Sequence, residues 1–132
     1  MEYLLYAIAV LLTLAFLAFQ FYPYFKIKAS RGQTAPALNE VLTNEQQKQQ
    51  RLLLYFMAPQ CGMCRNITPI VDELETQRHD IKRIDASEKP EIAHQFKIMG
   101  TPAFVLINNG IVEKVKLGGM TRKKILQMLE KR

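Results

Sequence analysis

Leu52-Leu53-Leu54-Tyr55-Phe56-Met57-Ala58-Pro59-Gln60-Cys61-Gly62-Met63-Cys64-Arg65 decides how the rest of the chain is read. Its first six residues are continuously apolar, as in a central strand covered on both faces. Ala58-Pro59-Gln60 ends that run, and Cys61 and Cys64 follow two residues apart; the chain has 2 cysteines and both are here. Beyond them Cys64, Ile67, Val71 and Leu74 recur at helical spacing, with Ile70 beside them and Asp72, Glu73 and Glu75 opposite. Pro69 is expected to kink this helix. Cys64 therefore falls on the buried stripe, and Cys61 lies almost one turn earlier, at an exposed mouth. A thiol at a helix N-terminus is favoured as thiolate by the helix dipole. Two thiols at this spacing can close a small disulfide ring without moving the chain, which suits disulfide exchange rather than stapling. With both cysteines in one motif there is no disulfide framework, and the redox compartment stays open.

Towards the C-terminus the pattern alternates. Ile81 to Ile84 reads as a strand, Pro90 to Phe96 as a short helix begun by its proline, and Ala103 to Ile107 as another covered strand. Asn108-Asn109-Gly110 is a hairpin turn, because Asn and Gly tolerate positive φ, and it leads into a strand over 111–117. Gly118-Gly119 breaks that strand. Thr121 can cap a last helix whose Ile125, Met128 and Leu129 face the core. Upstream, Leu38 to Gln50 is expected to form a short surface helix that turns polar and Gln-rich. The order is βα, βα, then a hairpin and a helix: an α/β fold with a mixed sheet and helices on both faces.

The N-terminus is a different material. No charged residue occurs from Tyr3 to Phe25, long enough for the roughly 20 residues that cross a bilayer as a helix. Tyr3, Tyr6, Tyr22 and Tyr24 lie towards its ends, where aromatic rings favour the headgroup region. A cleaved secretory signal fits poorly: Glu2, not a basic residue, precedes the run, and Ala35-Pro36-Ala37 lies too far beyond it. A buried helix of a globular core would not be apolar on every face. Lys26, Lys28 and Arg31 follow the span, so the positive-inside rule points to a cytoplasmic domain, with the opposite side left open. The expected organisation is an anchor over 1–25, a polar linker over 26–37 and one domain over 38–132.

At this point the chain resembles the thioredoxin family over residues 38–132. The apolar strand into Met57-Ala58-Pro59-Gln60-Cys61-Gly62-Met63-Cys64-Arg65, Pro69 in the helix after it, Arg83-Ile84-Asp85 leading to Pro90, and Gly100-Thr101-Pro102 before a strand align in order, followed by Asn109-Gly110 and Gly118-Gly119. The resemblance implies a thioredoxin-like mixed β-sheet flanked by helices, here preceded by one transmembrane helix. It implies a cis-proline at Pro102 facing the cysteines, with Thr101 pairing to an extended substrate segment. Four positions depart from the family pattern: Gln60 replaces a tryptophan, Met63 a proline, Tyr55 a buried aspartate and Arg83 a lysine. The expected mechanism has Cys61 attacking a disulfide and Cys64 resolving the mixed disulfide. Gln60, Gly62, Met63, Thr101 and Pro102 are the candidate substrate-binding residues. No cofactor is implied. The implied partners are disulfide- or dithiol-containing proteins, a recharging reductase or membrane dithiol carrier, and the lipid bilayer through residues 3–25.

Two readings from other classes compete. A zinc site would need His79 and His94 beside the cysteines, at a spacing unlike the usual short one. A redox-silent, membrane-tethered binding module of the same fold would not need both cysteines. The bulk composition adds that 132 residues make one domain, and that a net charge of +6 is scattered. Its one basic run, Arg122-Lys123-Lys124, lacks interleaved aromatics and reads as a solvated helix face, so no nucleic-acid partner is expected.

Overall fold

The computed structural model describes residues 1–28 and 30–130, without the side chains of 23–28. The expectations attached to the side chains of Tyr24, Lys26 and Lys28, and to Ala29, Lys131 and Arg132, lie outside the described residues. Helix α1 (Glu2–Lys28) is followed by α2 (Asn44–Gln47), β1 (Arg51–Met57), α3 (Cys64–Gln77), β2 (Ile81–Asp85), α4 (Pro90–Gln95), β3 (Ala103–Asn108), β4 (Ile111–Leu117) and α5 (Arg122–Glu130).

The sheet has strand order β2-β1-β3-β4, with β1 parallel to β2 and antiparallel to β3, and β3 antiparallel to β4. Both faces of β1 and β3 are covered, which is why their sequences are apolar without alternation. On one face Leu53, Tyr55, Phe104 and Leu106 meet Ile67, Val71 and Leu74 of α3 and Ile125, Met128 and Leu129 of α5. On the other, Leu52, Leu54, Phe56, Val105 and Ile107 meet Leu38, with Ile92, Ala93, Phe96 and Ile98 from α4 and the turn after it. The β3–β4 turn has Asn109 at φ 49° and Gly110 at φ 77°, the conformation for which Asn-Gly is suited.

Two stretches depart from the sequence reading. The helix expected over 38–50 contracts to Asn44–Gln47. Its Thr43 and Gln46 close a capping box, and Gln46 is buried, donating from Nε2 to the Ile81 carbonyl at 3.1 Å. The Gln-rich stretch has no apolar stripe to extend that turn. Part of the stretch expected as a linker is instead stitched to the sheet. Thr34 bridges Ile111, Gly32 N–H donates to the Val112 carbonyl at 2.8 Å, and Ala35 N–H donates to the Gly110 carbonyl at 2.7 Å. Ser30 is buried and its hydroxyl donates to the Phe96 carbonyl at 2.8 Å. These bonds cover part of the edge of β4 that would otherwise be unpaired.

Candidate active site

The strand-to-helix turn builds the site. Cys61 N–H donates to the Ala58 carbonyl at 3.1 Å, and Cys64 N–H reaches the Cys61 carbonyl at 3.2 Å, so the chain turns twice between β1 and α3. Cys61 and Cys64 are joined in a disulfide, with Cα atoms 5.2 Å apart. Met63 stands at the N-cap position and offers no capping side chain. That role falls to sulfur: Cys61 Sγ accepts the Cys64 N–H at 3.2 Å. A helix start that directs an N–H and its dipole at Cys61 Sγ favours negative charge there when the disulfide is open.

The two sulfurs differ in access. Cys64 is 1% exposed, whereas Cys61 is half-buried. Gln60, Gly62 and Met63 beside them are exposed, Met63 at 60%. Cys61, Cys64, Met57, Arg65, Thr68 and Pro69 line a shallow depression of ≈ 280 Å³. The Thr101–Pro102 peptide is cis, Pro102 is buried and Thr101 half-buried. Ala103, next in sequence, pairs with Phe56, which brings the cis-proline loop beside the end of β1 from which Cys61 departs. Gly118 N–H ties the end of β4 to the Pro102 carbonyl at 2.9 Å, with Gly118 at φ 89°.

Behind the disulfide lies a hydroxyl pair. Tyr55 is fully buried, its ring stacks on Phe104 with centroids 5.0 Å apart, and its hydroxyl lies 3.1 Å from Thr68 Oγ1. Burial pushes the Tyr55 phenol above its ordinary pKa, the Thr68 bond opposing. Arg83, beside Tyr55 in the β1–β2 register, holds Asp72 through Nη1 at 2.8 and 2.9 Å instead of turning inward. Sequence reasoning singled out Tyr55 and missed Thr68. The available signal was its position four residues after Cys64, a hydroxyl one turn along the same helix.

A zinc site would need His79 and His94 beside the cysteines. The cysteines are bonded to each other, and His79 Nδ1 lies 3.2 Å from Glu45 Oε2. His94 lines a different depression with Met99 and Thr101, and no cluster of three metal-ligating side chains occurs among the described residues.

The thioredoxin family model matches residues 33–131. The chain belongs to the thioredoxin family. It is 30% identical to Thioredoxin 1 of Nostoc over 83 residues, covering 61% of this chain and 78% of that one. Thioredoxin of Bacillus subtilis is 29% identical over 83 residues, 61% of this chain and 80% of its own length. Among solved structures, a mutant thioredoxin from Halobacterium salinarum superposes with a TM-score of 0.60 at 26% identity, covering 76% of this chain and 84% of that one. A mutant thioredoxin from Entamoeba histolytica matches with a TM-score of 0.55 at 31% identity, over 66% of this chain and 86% of its own. With the family's fold and a disulfide pair at the start of α3, the protein is a thioredoxin-like disulfide oxidoreductase.

Proposed function

We propose that the protein is a membrane-anchored thiol–disulfide oxidoreductase that exchanges disulfides with protein substrates. The observation that carries the reading is the asymmetry of the pair: Cys61 Sγ at the helix start and accessible, Cys64 buried behind it. In the reductive direction the Cys61 thiolate attacks a substrate disulfide, the S–S bond breaks, and the first substrate sulfur leaves as thiolate and takes up a proton. Cys64 then loses its proton and attacks Cys61 Sγ, closing the Cys61–Cys64 bond and releasing the second substrate thiol. Two electrons and two protons pass to the substrate, and a dithiol reductant must return them. Run backwards, the same steps oxidise a dithiol.

Thr101 and Pro102 present the substrate-facing loop in this proposal, and the exposed Gln60, Gly62 and Met63 form the rest of the contact. Anchoring rests on α1: Glu2–Tyr22 spans 21 residues at a mean hydropathy of 2.3, with none of it buried against the domain. Retention as an anchor rather than cleavage as a signal is favoured by the length of the uncharged run, Tyr3 to Phe25, beyond the roughly 7–15 apolar residues of a signal peptide. Lys26, Lys28 and Arg31 after the span favour a cytoplasmic domain, recharged by a reductase; a membrane dithiol carrier would serve the opposite side.

Full-length Cys64→Ser, expressed in its host, tests this proposal. The expected result is a set of membrane-fraction proteins held on Cys61 and released by reductant, whose identities report the side of the membrane. The same proteins recovered with Cys61→Ser/Cys64→Ser would overturn it.

A further inference from the structure

Among the described residues, Thr68 supplies the hydroxyl on the wall of the depression that holds Cys61 and Cys64. Its hydrogen bond to Tyr55, at 3.1 Å, has a direction that burial decides. Tyr55 is fully buried, and its hydroxyl meets no other partner among the described residues. Were Tyr55 the acceptor, its own proton would be left unpaired in the interior, at the cost of a desolvated polar group. Tyr55 therefore donates and Thr68 accepts. Burial also raises the Tyr55 pKa, so the phenol keeps that proton through the neutral range.

This direction leaves the Thr68 proton uncommitted. Helical threonines commonly give theirs to a carbonyl one turn back. Thr13 does so to Ala9 and Val10, and Thr76 to Glu73. Thr68 makes no such bond among the described residues. Its side chain leans towards the helix N-terminus, over the turn that carries Cys64 four residues earlier. Side chains at that spacing are neighbours, with Cβ atoms about 5–6 Å apart.

Few charged or titratable groups compete for this role among the described residues. Cys61 and Arg65 share the depression, but Arg65 follows Cys64 directly, and adjacent helical side chains do not face each other. Asp72 on α3 and Arg83 on β2 act on Tyr55 in opposite directions and hold each other at 2.8 Å. The depression offers no carboxylate or imidazole to take a proton from Cys64. Burial in apolar surroundings works against a thiolate, and Cys64 is almost wholly buried. A hydrogen bond to the charged form is what remains to favour it.

We infer that Thr68 is a further catalytic residue: once the Cys61–Cys64 bond is open, its hydroxyl donates to Cys64 Sγ and favours the thiolate that resolves the mixed disulfide. Tyr55 is a positioning residue, whose donated bond turns and polarises the Thr68 hydroxyl. In this step the Cys64 proton passes to solvent and Thr68 keeps its own. Cys64 Sγ attacks Cys61 Sγ, the Cys61–Cys64 bond forms, the mixed disulfide breaks, and the substrate sulfur leaves as thiolate. The inference deepens the resolving step proposed above and rests on it.

The test mixes pre-reduced full-length protein in detergent, freed of excess reductant, with a slight deficit of dithiobis(nitrobenzoate) in stopped flow. The first nitrothiophenolate released reports attack by Cys61, and the second reports resolution by Cys64. A hydrogen bond to a charged group is worth about one to two pKa units, so Thr68→Val should raise the inflection of the second phase by about that much. Part of the loss is offset, because a thiolate of higher pKa is more nucleophilic; below both inflections the second phase should slow roughly four- to tenfold. The first phase should not change, and Thr68→Ser should keep the wild-type profile. Tyr55→Phe should raise the inflection by less, and it carries the test if Thr68→Val does not fold. An unshifted inflection in Thr68→Val, or in Tyr55→Phe where that variant alone folds, would overturn this inference while resolution by Cys64 stands. A Thr68→Ser profile matching that of Thr68→Val would do the same. A wild-type protein that shows the first phase without the second would overturn the resolving step, and the inference with it.

Discussion

Tyr55→Phe isolates the least expected part of the site. The substitution keeps the ring that stacks on Phe104 at 5.0 Å and removes only the hydroxyl that meets Thr68 Oγ1 at 3.1 Å. Thr68 is half-buried on the wall of the depression that holds the cysteines, so its oxygen can recover a water. The loss is therefore that of one neutral hydrogen bond, about 0.5–1.5 kcal/mol. For a domain of this size that lowers Tm by a few to about ten degrees. The pH dependence gives an independent check. Burial raises the Tyr55 pKa in the folded protein, whereas the unfolded chain titrates near 10. Above that pH the unfolded state releases its proton first, so this group's contribution falls as pH rises. The Tm gap between wild type and Tyr55→Phe should narrow steadily above about pH 10. Thermal unfolding of the oxidised full-length chain in detergent, from neutral to alkaline pH, reads both quantities. A loss above about 3 kcal/mol, the scale of a disrupted core, or a gap that widens with pH, would refute the reasoning.

Three further outcomes follow from the same geometry. Ser30→Ala removes a buried bond to the Phe96 carbonyl, and Tm should report a loss of about 1–2 kcal/mol; no change would mean the segment is not docked. Asp85 accepts the hydroxyl and the N–H of Ser87, which hold its carboxyl below the usual range, so its contribution is present above about pH 4 and is lost as pH falls through the lower folded value. Asp85→Asn should therefore flatten the acid limb of the Tm profile slightly, the group being partly exposed. Gly118→Ala places a Cβ at φ 89° and should destabilise by about 1–2 kcal/mol in the same assay, although nothing lies within 4 Å of that Cβ.

Burial was the legible part of this chain. Continuous apolar runs announced β1 and β3 because both faces are covered, and the Cys64-Ile67-Val71-Leu74 stripe announced α3 because one face is. Asn109-Gly110 announced the hairpin through its positive φ angles. What stayed hidden was hydrogen bonding between parts distant in sequence. Nothing in Ser30 to Ala35 signals a partner on β4, since the bonds there are made almost wholly by backbone. Gln46 looked like one surface glutamine among several, and only its capping box and its bond to Ile81 explain its burial. At the site, the cysteine pair and its asymmetry are legible in the helical spacing, and the cis-proline loop in the family pattern. The Tyr55–Thr68 pair is not, because a substitution at one position does not reveal what its new side chain meets.

The departures from the family pattern therefore have a physical form. A neutral hydroxyl pair stands one helical turn behind Cys64, and Arg83 is committed to Asp72 at the surface. Cys61 nevertheless keeps the helix-start N–H that favours its thiolate. The most direct measurement is the reduction of insulin by dithiothreitol with catalytic amounts of the full-length protein in detergent. Wild type is expected to accelerate it and Cys61→Ser to leave it at the rate of dithiothreitol alone. Acceleration by Cys61→Ser equal to that of wild type would contradict the account.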